Sequence, residues 1–281
     1  MGKKQVREET LRPLSLKALV ENGFLQAFSP PTEAFDPTGN WRHSYQLWLV
    51  GGGGRVSRGF IRVERAAADG GKGAKLSIEF NVLQAAFAIE RTRATIQGAA
   101  DGLGTPQSWQ LESVVLNLDG KPIPETQVEE RGDVKGDTVQ VTPVNAPKER
   151  ARTRTVKISA SSVEPLATPF TTNWSLLEAV QRLPAQGMSP LAFTLLEDGD
   201  LVKERQRLLF RGPAKLDVNG KTVELREYQQ IGEGILPYHY WVDGAGRLLF
   251  VVSGQRAYTW SPSAAEEFET MRQRLLRRAG Q

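Results

Sequence analysis

The chain of 281 residues contains no cysteine. That excludes disulfides, thiol nucleophiles, thiolate zinc sites and iron–sulfur clusters together. It leaves the compartment open, because a large secreted domain can fold without disulfides. Histidine is scarce too, with only His43 and His239. No His-x-x-x-His or His–Glu spacing sets two metal ligands on one face, so no metal site is expected. No stretch approaches the ~20 apolar residues a membrane-crossing helix requires. Met1 to Val6 lacks an apolar signal core, and Val6 stands where a myristoylation site needs Ser or Thr. The same start also fits a chain whose leader has been removed. The formal charge is +4, too small a surplus over this length for more than weak attraction to anionic surfaces. Nucleic acid is therefore not an expected partner.

The recurring catalytic signatures are absent as well. There is no Gly-x-Ser-x-Gly elbow. Gly51–Gly54 is followed by Arg55-Val56-Ser57 rather than the Lys-Ser/Thr and helix of a phosphate-binding loop, and Asp69–Gly73 fails the same test. Glu129-Glu130 and Glu266-Glu267 are adjacent pairs, which point apart on a strand or helix. Nothing here assembles a reaction centre, so the expectation is a protein without catalytic residues or cofactor.

What is present is the composition of a folded protein, 40% apolar and 24% charged, long enough for one large β domain or two ordinary ones. The most organised stretch is Leu236–Trp260. Tyr238, Tyr240, Trp241 and Val242 suit a strand, Asp243-Gly244-Ala245-Gly246 a turn, and Leu248–Val252 is apolar at every position. Side chains alternate between faces, so such a strand must be covered on both. One cover is the core; the other is a helix, a second sheet or a ligand.

Elsewhere, short strand patterns alternate with Asp-Gly and Asn-Gly turns. Trp41–Val50 and Arg55–Ala66 form a hairpin around the glycine cluster. Strand patterns follow in Lys75–Gln84, Phe87–Gly98, Ser108–Leu118, Thr126–Gly132, Asp137–Thr142 and Thr155–Ala160. Asn81–Glu90 suits a helical turn or a strand, and alternation through Phe87, Ile89, Arg91 and Arg93 favours strand. Arg150, Arg152 and Arg154 alternate on one face; without interleaved aromatics they read as a charged edge rather than a nucleic-acid stripe.

Three helices are expected. Ser15 caps a short one with Leu16, Leu19, Val20 and Phe24 at helical spacing. The second lies near 172–183, with Thr172 or Asn173 as cap, Leu176, Leu177, Val180 and Leu183 as its apolar face, and Pro184 as its stop. The third, 263–278, opens on a Ser263–Glu266 capping box and turns Phe268, Met271 and Leu275 inward. Its arginines suit the C-terminal end of the helix dipole, and packing on its own sheet is favoured over a membrane surface.

The run Tyr238–Gly254, YHYWVDGAGRLLFVVSG, resembles the C-terminal signature of a bacterial cell-envelope family of unknown function. There a Tyr/Trp-Val-Asp, turn, Arg-Leu-Leu hairpin closes a curved antiparallel sheet. Lys203–Tyr228 also fits that family's strands before the hairpin. The family is similar in fold to periplasmic lipoprotein-carrier half-barrels, in which a curved sheet and a helix lid enclose acyl chains. The likeness covers the last third of the chain and carries over no functional residues.

The resulting expectation is a mainly β protein: a curved antiparallel sheet or incomplete β-barrel with a few packed helices. Residues 1–40 would form an arm and short helix and 41–281 one β domain, the alternative being two lobes, 41–165 and 166–281. The resemblance implies a periplasmic or secreted protein. The functional expectation is a non-catalytic envelope protein binding an apolar or lipid-like ligand in the sheet's concavity. Trp174, Leu177, Tyr240, Trp241 and Phe250 are the candidate contacts. A structural or protein-interaction module without a cavity is the alternative, with an envelope protein as partner, and a glycan-active enzyme is the third.

Overall fold

Short alternating strands joined by tight turns need neighbours on both edges, and the chain supplies them by meandering. The computed structural model describes residues 15–49, 57–84, 88–144, 152–158, 169–199 and 201–279. In the first half lie β1 (Trp41–Leu49), β2 (Gly59–Ala67), β3 (Ala74–Leu83), β4 (Ile89–Gly98), β5 (Pro106–Leu116), β6 (Val128–Lys135), β7 (Thr138–Val144) and β8 (Arg154–Lys157). In the second lie β9 (Phe170–Thr172), β10 (Leu191–Glu197), β11 (Leu201–Val218), β12 (Lys221–Ile231), β13 (Tyr238–Val242), β14 (Leu248–Ser253) and β15 (Arg256–Trp260). Within each half, neighbours in sequence are neighbours in space, and β1 pairs antiparallel with β15, so one sheet runs from β8 to β9.

The sheet curls until its two ends approach, but among the described residues no ladder joins them. Side chains hold the seam instead. Trp109, Val139, Val141 and Ile158 from one end pack with Phe170 and Leu196 from the other. Thr105 Oγ1 donates to the Phe170 carbonyl at 3.1 Å, and Thr171 Oγ1 donates to the Leu103 carbonyl at 2.8 Å. The result is the expected incomplete barrel, mainly β with three α-helices among the described residues. One pairing departs from the antiparallel expectation: β9 and β10 run parallel, with α2 as part of the connection.

Helix α2 (Asn173–Ala179), continued by a tight turn over Val180–Arg182, lies against the concave face. Thr172 caps it by accepting the Ser175 N–H at 2.9 Å. Leu176, Leu177, Val180 and Leu183 join the inward side chains of β1–β3 and β10–β14 in the main core. A buried ion network fixes its far end. Glu178, 2% exposed, accepts from Arg65 Nε at 2.9 Å and from Arg182 Nε and Nη2 at 2.5 and 2.9 Å. Arg65 also donates to the carbonyls of Thr38 and Gly39, tying residues 38–39 to the same point.

Two helices cover the convex face. α1 (Leu16–Glu21), capped by Ser15 through the Ala18 N–H, begins a segment whose Leu19, Phe24, Leu25 and Phe28 bury against β12, β14 and β15. Asn219, in the left-handed region at φ 49°, turns β11 into β12 and donates to the carbonyls of Leu25 and Phe28. α3 (Ala264–Ala279) packs Phe268 on Phe60, with Met271, Leu275 and Leu276 partly covered. The Ser263–Glu266 box is not what forms at its start. Ser263 Oγ donates instead to Glu267 Oε1 at 2.5 Å, because the helix begins at Ala264 and Glu267 lies one turn beyond Ser263.

The doubly covered strand is β14. A bulge in its pairing with β13 leaves Leu249 extra, so Leu248 and Val251 face the concave core while Leu249, Phe250 and Val252 face the convex one. Asn81–Glu90 holds a hairpin rather than one strand. β3 ends at Leu83, Gln84 N–H donates to the Ala88 carbonyl, and the chain returns antiparallel as β4. Phe87, Arg150, Gly51–Gly54 and residues 1–14 lie outside the described residues.

Candidate functional site

Strand parity decides what the interior contains. Odd positions of β1 and β10 and even positions of β3 and β13 point inward, and at one end of the barrel they do not meet. They leave an open cavity of about 370 Å³, roofed on one side by Asn173, Trp174 and Leu177 at the start of α2. Part of its wall is apolar, made by Leu49, Ile61, Phe80, Val82, Leu195 and Val251. Phe80 and Trp174 rings pack at 5.9 Å between centroids.

The mouth is polar and aromatic. Three phenols line the cavity, those of Tyr238, Tyr240 and Tyr258, the first two with rings nearly parallel 6.2 Å apart. Tyr240 donates to Gln230 Oε1 at 3.0 Å. Gln230 Nε2 donates in turn to Gln206 Oε1 at 3.3 Å, and Gln206 is anchored on the carbonyls of Glu204 and Glu233. Burial raises all three phenols above the ordinary tyrosine value, Tyr258 to about 12 with Arg256 opposing the rise, and Tyr240 well above. Desolvation disfavours a phenolate, so these groups stay neutral hydrogen-bond donors at neutral pH. Charged residues complete the rim. Glu197 pairs with Lys203 at 2.5 Å, Glu90 accepts from Gln84 and Asp198 from Asn173, and Arg256 stands beside Tyr258.

Of the five residues singled out from sequence, the cavity brings together Trp174, Leu177 and Tyr240. Trp241 and Phe250 belong to the other face, which corrects their place in that group. Tyr240 and Trp241 are consecutive on a strand and must diverge. Phe250 pairs in register with Trp241 and so shares its side. Both are buried under the α1 segment, where Phe28 packs on Phe250 at 5.0 Å. Tyr238, Tyr258, Arg256 and Gln230 were not singled out. Tyr238 was within reach, two residues from Tyr240 on the same face. Tyr258 required the β1–β15 pairing, which joins positions more than two hundred residues apart.

The histidines stand elsewhere. His43 is buried among Trp41, Phe35, Tyr45 and Trp260 at the opposite end of the barrel. Burial, and then the nearby Arg247, depress it to about 3. His239, on the convex face, stacks on Trp241 and bonds Glu227 at 2.8 Å. Among the described residues no group of three or more His, Asp or Glu side chains is arranged to hold a metal ion. No described helix is long and apolar enough to cross a membrane.

No family profile and no curated protein matches the chain. Among solved structures it is similar to a β-barrel-like protein of the domain of unknown function DUF1849 from Brucella abortus. The TM-score is 0.51 and the identity 14%, over 80% of this chain and 95% of that one. At that identity the likeness is one of fold. It agrees with a β-barrel-like architecture of a kind found in a bacterial protein of unknown function.

Proposed function

We propose that this is a non-catalytic bacterial envelope protein, periplasmic or secreted, that holds a lipid-like ligand inside the incomplete barrel. The observation that carries the reading is the cavity itself. A filled interior would have sunk it, whereas about 370 Å³ stands open between the sheet and α2. That lies within the roughly 300–1,000 Å³ of small-molecule pockets, and the combination of apolar wall with a few polar groups at the mouth is what an amphiphile requires. The α2 roof, anchored by Glu178, supplies a rigid lid rather than a loose one. The envelope location rests on the resemblance of the Tyr238–Gly254 run.

Titration with a dansyl-labelled C11 fatty acid tests the reading. Saturable one-to-one binding is expected, weakened at least tenfold by Leu177→Trp, which fills the cavity, and unchanged by Phe250→Leu on the convex face. Circular dichroism establishes that both variants fold. Equal binding by all three proteins, or none by the wild type, contradicts a ligand in this cavity.

A second reading, a protein-interaction module, draws on one observation. β8 ends the sheet, and no described strand pairs with its outer edge, a template on which another chain could add a strand. Exposed charges, including Arg154 bonded to Glu130 at 2.6 Å, work against that use.

A further inference from the structure

Resting on the cavity reading above, we infer that the bound amphiphile is anionic, its carboxylate or phosphate held at the mouth by Arg256 and the Tyr258 hydroxyl. The two residues are i and i+2 on β15 and so share the concave face. Arg256 opens the strand at the rim, where its side chain is exposed, while Tyr258 stands deeper and its phenol is buried. An entering acyl chain that reaches Leu177, Leu195 and Val251 would leave its head group beside these two donors.

The other charges at the mouth are already engaged. Glu197 is neutralised by Lys203, Glu90 is bonded by the Gln84 amide at 2.6 Å, and Asp198 by the Asn173 amide at 2.9 Å. Arg256 has no described carboxylate within ion-pair distance; Glu90 acts on it only from further away. An arginine fork matches a carboxylate or phosphate in two parallel hydrogen bonds, and a neutral phenol adds a third donor without a competing charge. The acidic residues oppose an anion through space, so the preference depends on direct contact with Arg256 rather than on the general field. Charge-assisted hydrogen bonds contribute enough to give about a tenfold preference.

Calorimetric titration with four twelve-carbon ligands below their micelle concentrations separates the possibilities: dodecanoate, dodecyl phosphate, dodecanol and dodecyltrimethylammonium. The expected result is at least tenfold tighter binding of one or both anions than of the alcohol and the cation. Dodecanoate favoured over dodecyl phosphate would identify a fatty-acid head group, and the reverse a phospholipid-like one. Arg256→Met, at an exposed position, should abolish the preference while keeping dodecanol affinity within twofold, and Tyr258→Phe should reduce it partially. Equal affinity for all four, a preference for the cation, or an undiminished preference in Arg256→Met overturns the head-group assignment and leaves the cavity standing. Binding of none of the four overturns both.

Discussion

At the residue scale, the Trp174 and Trp241 indole N–H groups and Thr194 Oγ1 are buried without a hydrogen-bond partner among the described residues, but other interior polar groups have defined ones. Glu178 is the clearest case, a buried carboxylate shared by Arg65 and Arg182. Removing it would leave two guanidiniums facing each other in a poorly solvated place. Glu178→Gln should therefore cost about 3–5 kcal/mol, read as a lowered urea midpoint with unchanged slope. His43 provides a second test. Its folded pKa, depressed to about 3, lies below the unfolded value near 6.5, so between those limits the unfolded chain binds the extra proton. The stability this neutral imidazole contributes is whole above pH 6.5 and is lost as pH falls towards 3, at up to about 1.4 kcal/mol per pH unit. Comparison of wild type with His43→Gln isolates that slope from the carboxylates, and parallel pH profiles for the two would contradict it. Arg247 was read from sequence only as the residue that follows the Asp243–Gly246 turn. It is buried, stacks on Phe35 and Trp260 at 5.0 and 5.5 Å, and donates to the Glu33 carbonyl, a clasp formed across some two hundred residues.

At the element scale, helices and turns were legible wherever one local signal sufficed. Ser15 and Thr172 are caps in fact, and the apolar stripe of α2 is the buried one. The Asp243 turn closes as its residues imply, with Asp243 Oδ1 accepting from Ala245 and Arg247 N–H groups and Gly246 at φ 92°. What failed was parity within a strand. Tyr240 and Trp241 were grouped as one site although neighbours on a strand face opposite ways, and the bulge at Leu249 then carried Phe250 to Trp241's side. β9 escaped notice because three residues carry too little periodicity to register. The seam offers a test at this scale. A Cβ on Gly132 of β6 would lie 2.1 Å from the Trp109 ring, which packs against it at the sheet's end. Gly132→Ala must displace that indole and should destabilise the protein by about 1–3 kcal/mol, with loss of near-ultraviolet circular dichroism from Trp109. A neutral effect would mean the seam is looser than its packing indicates.

At the scale of the whole molecule, the mainly β class followed from turn spacing, and the curvature was implied by the resemblance of the Tyr238–Gly254 run. The route to closure followed from neither. Pairing β1 with β15 places the first and last strands side by side in the middle of the sheet, a long-range contact that no local pattern encodes. The cavity depends on that pairing, since Leu49 of β1 and Tyr258 of β15 stand side by side in its wall. It is also where packing is deliberately incomplete, with apolar wall and polar mouth facing the same space. The most direct test is native mass spectrometry of protein purified from its own organism, followed by solvent extraction and lipid analysis. A reproducible co-purifying amphiphile, bound one to one and lost on denaturation, is the result this account predicts. A clean unliganded mass, from protein that also fails to bind the fatty-acid probe, would contradict it and turn attention to the β8 edge.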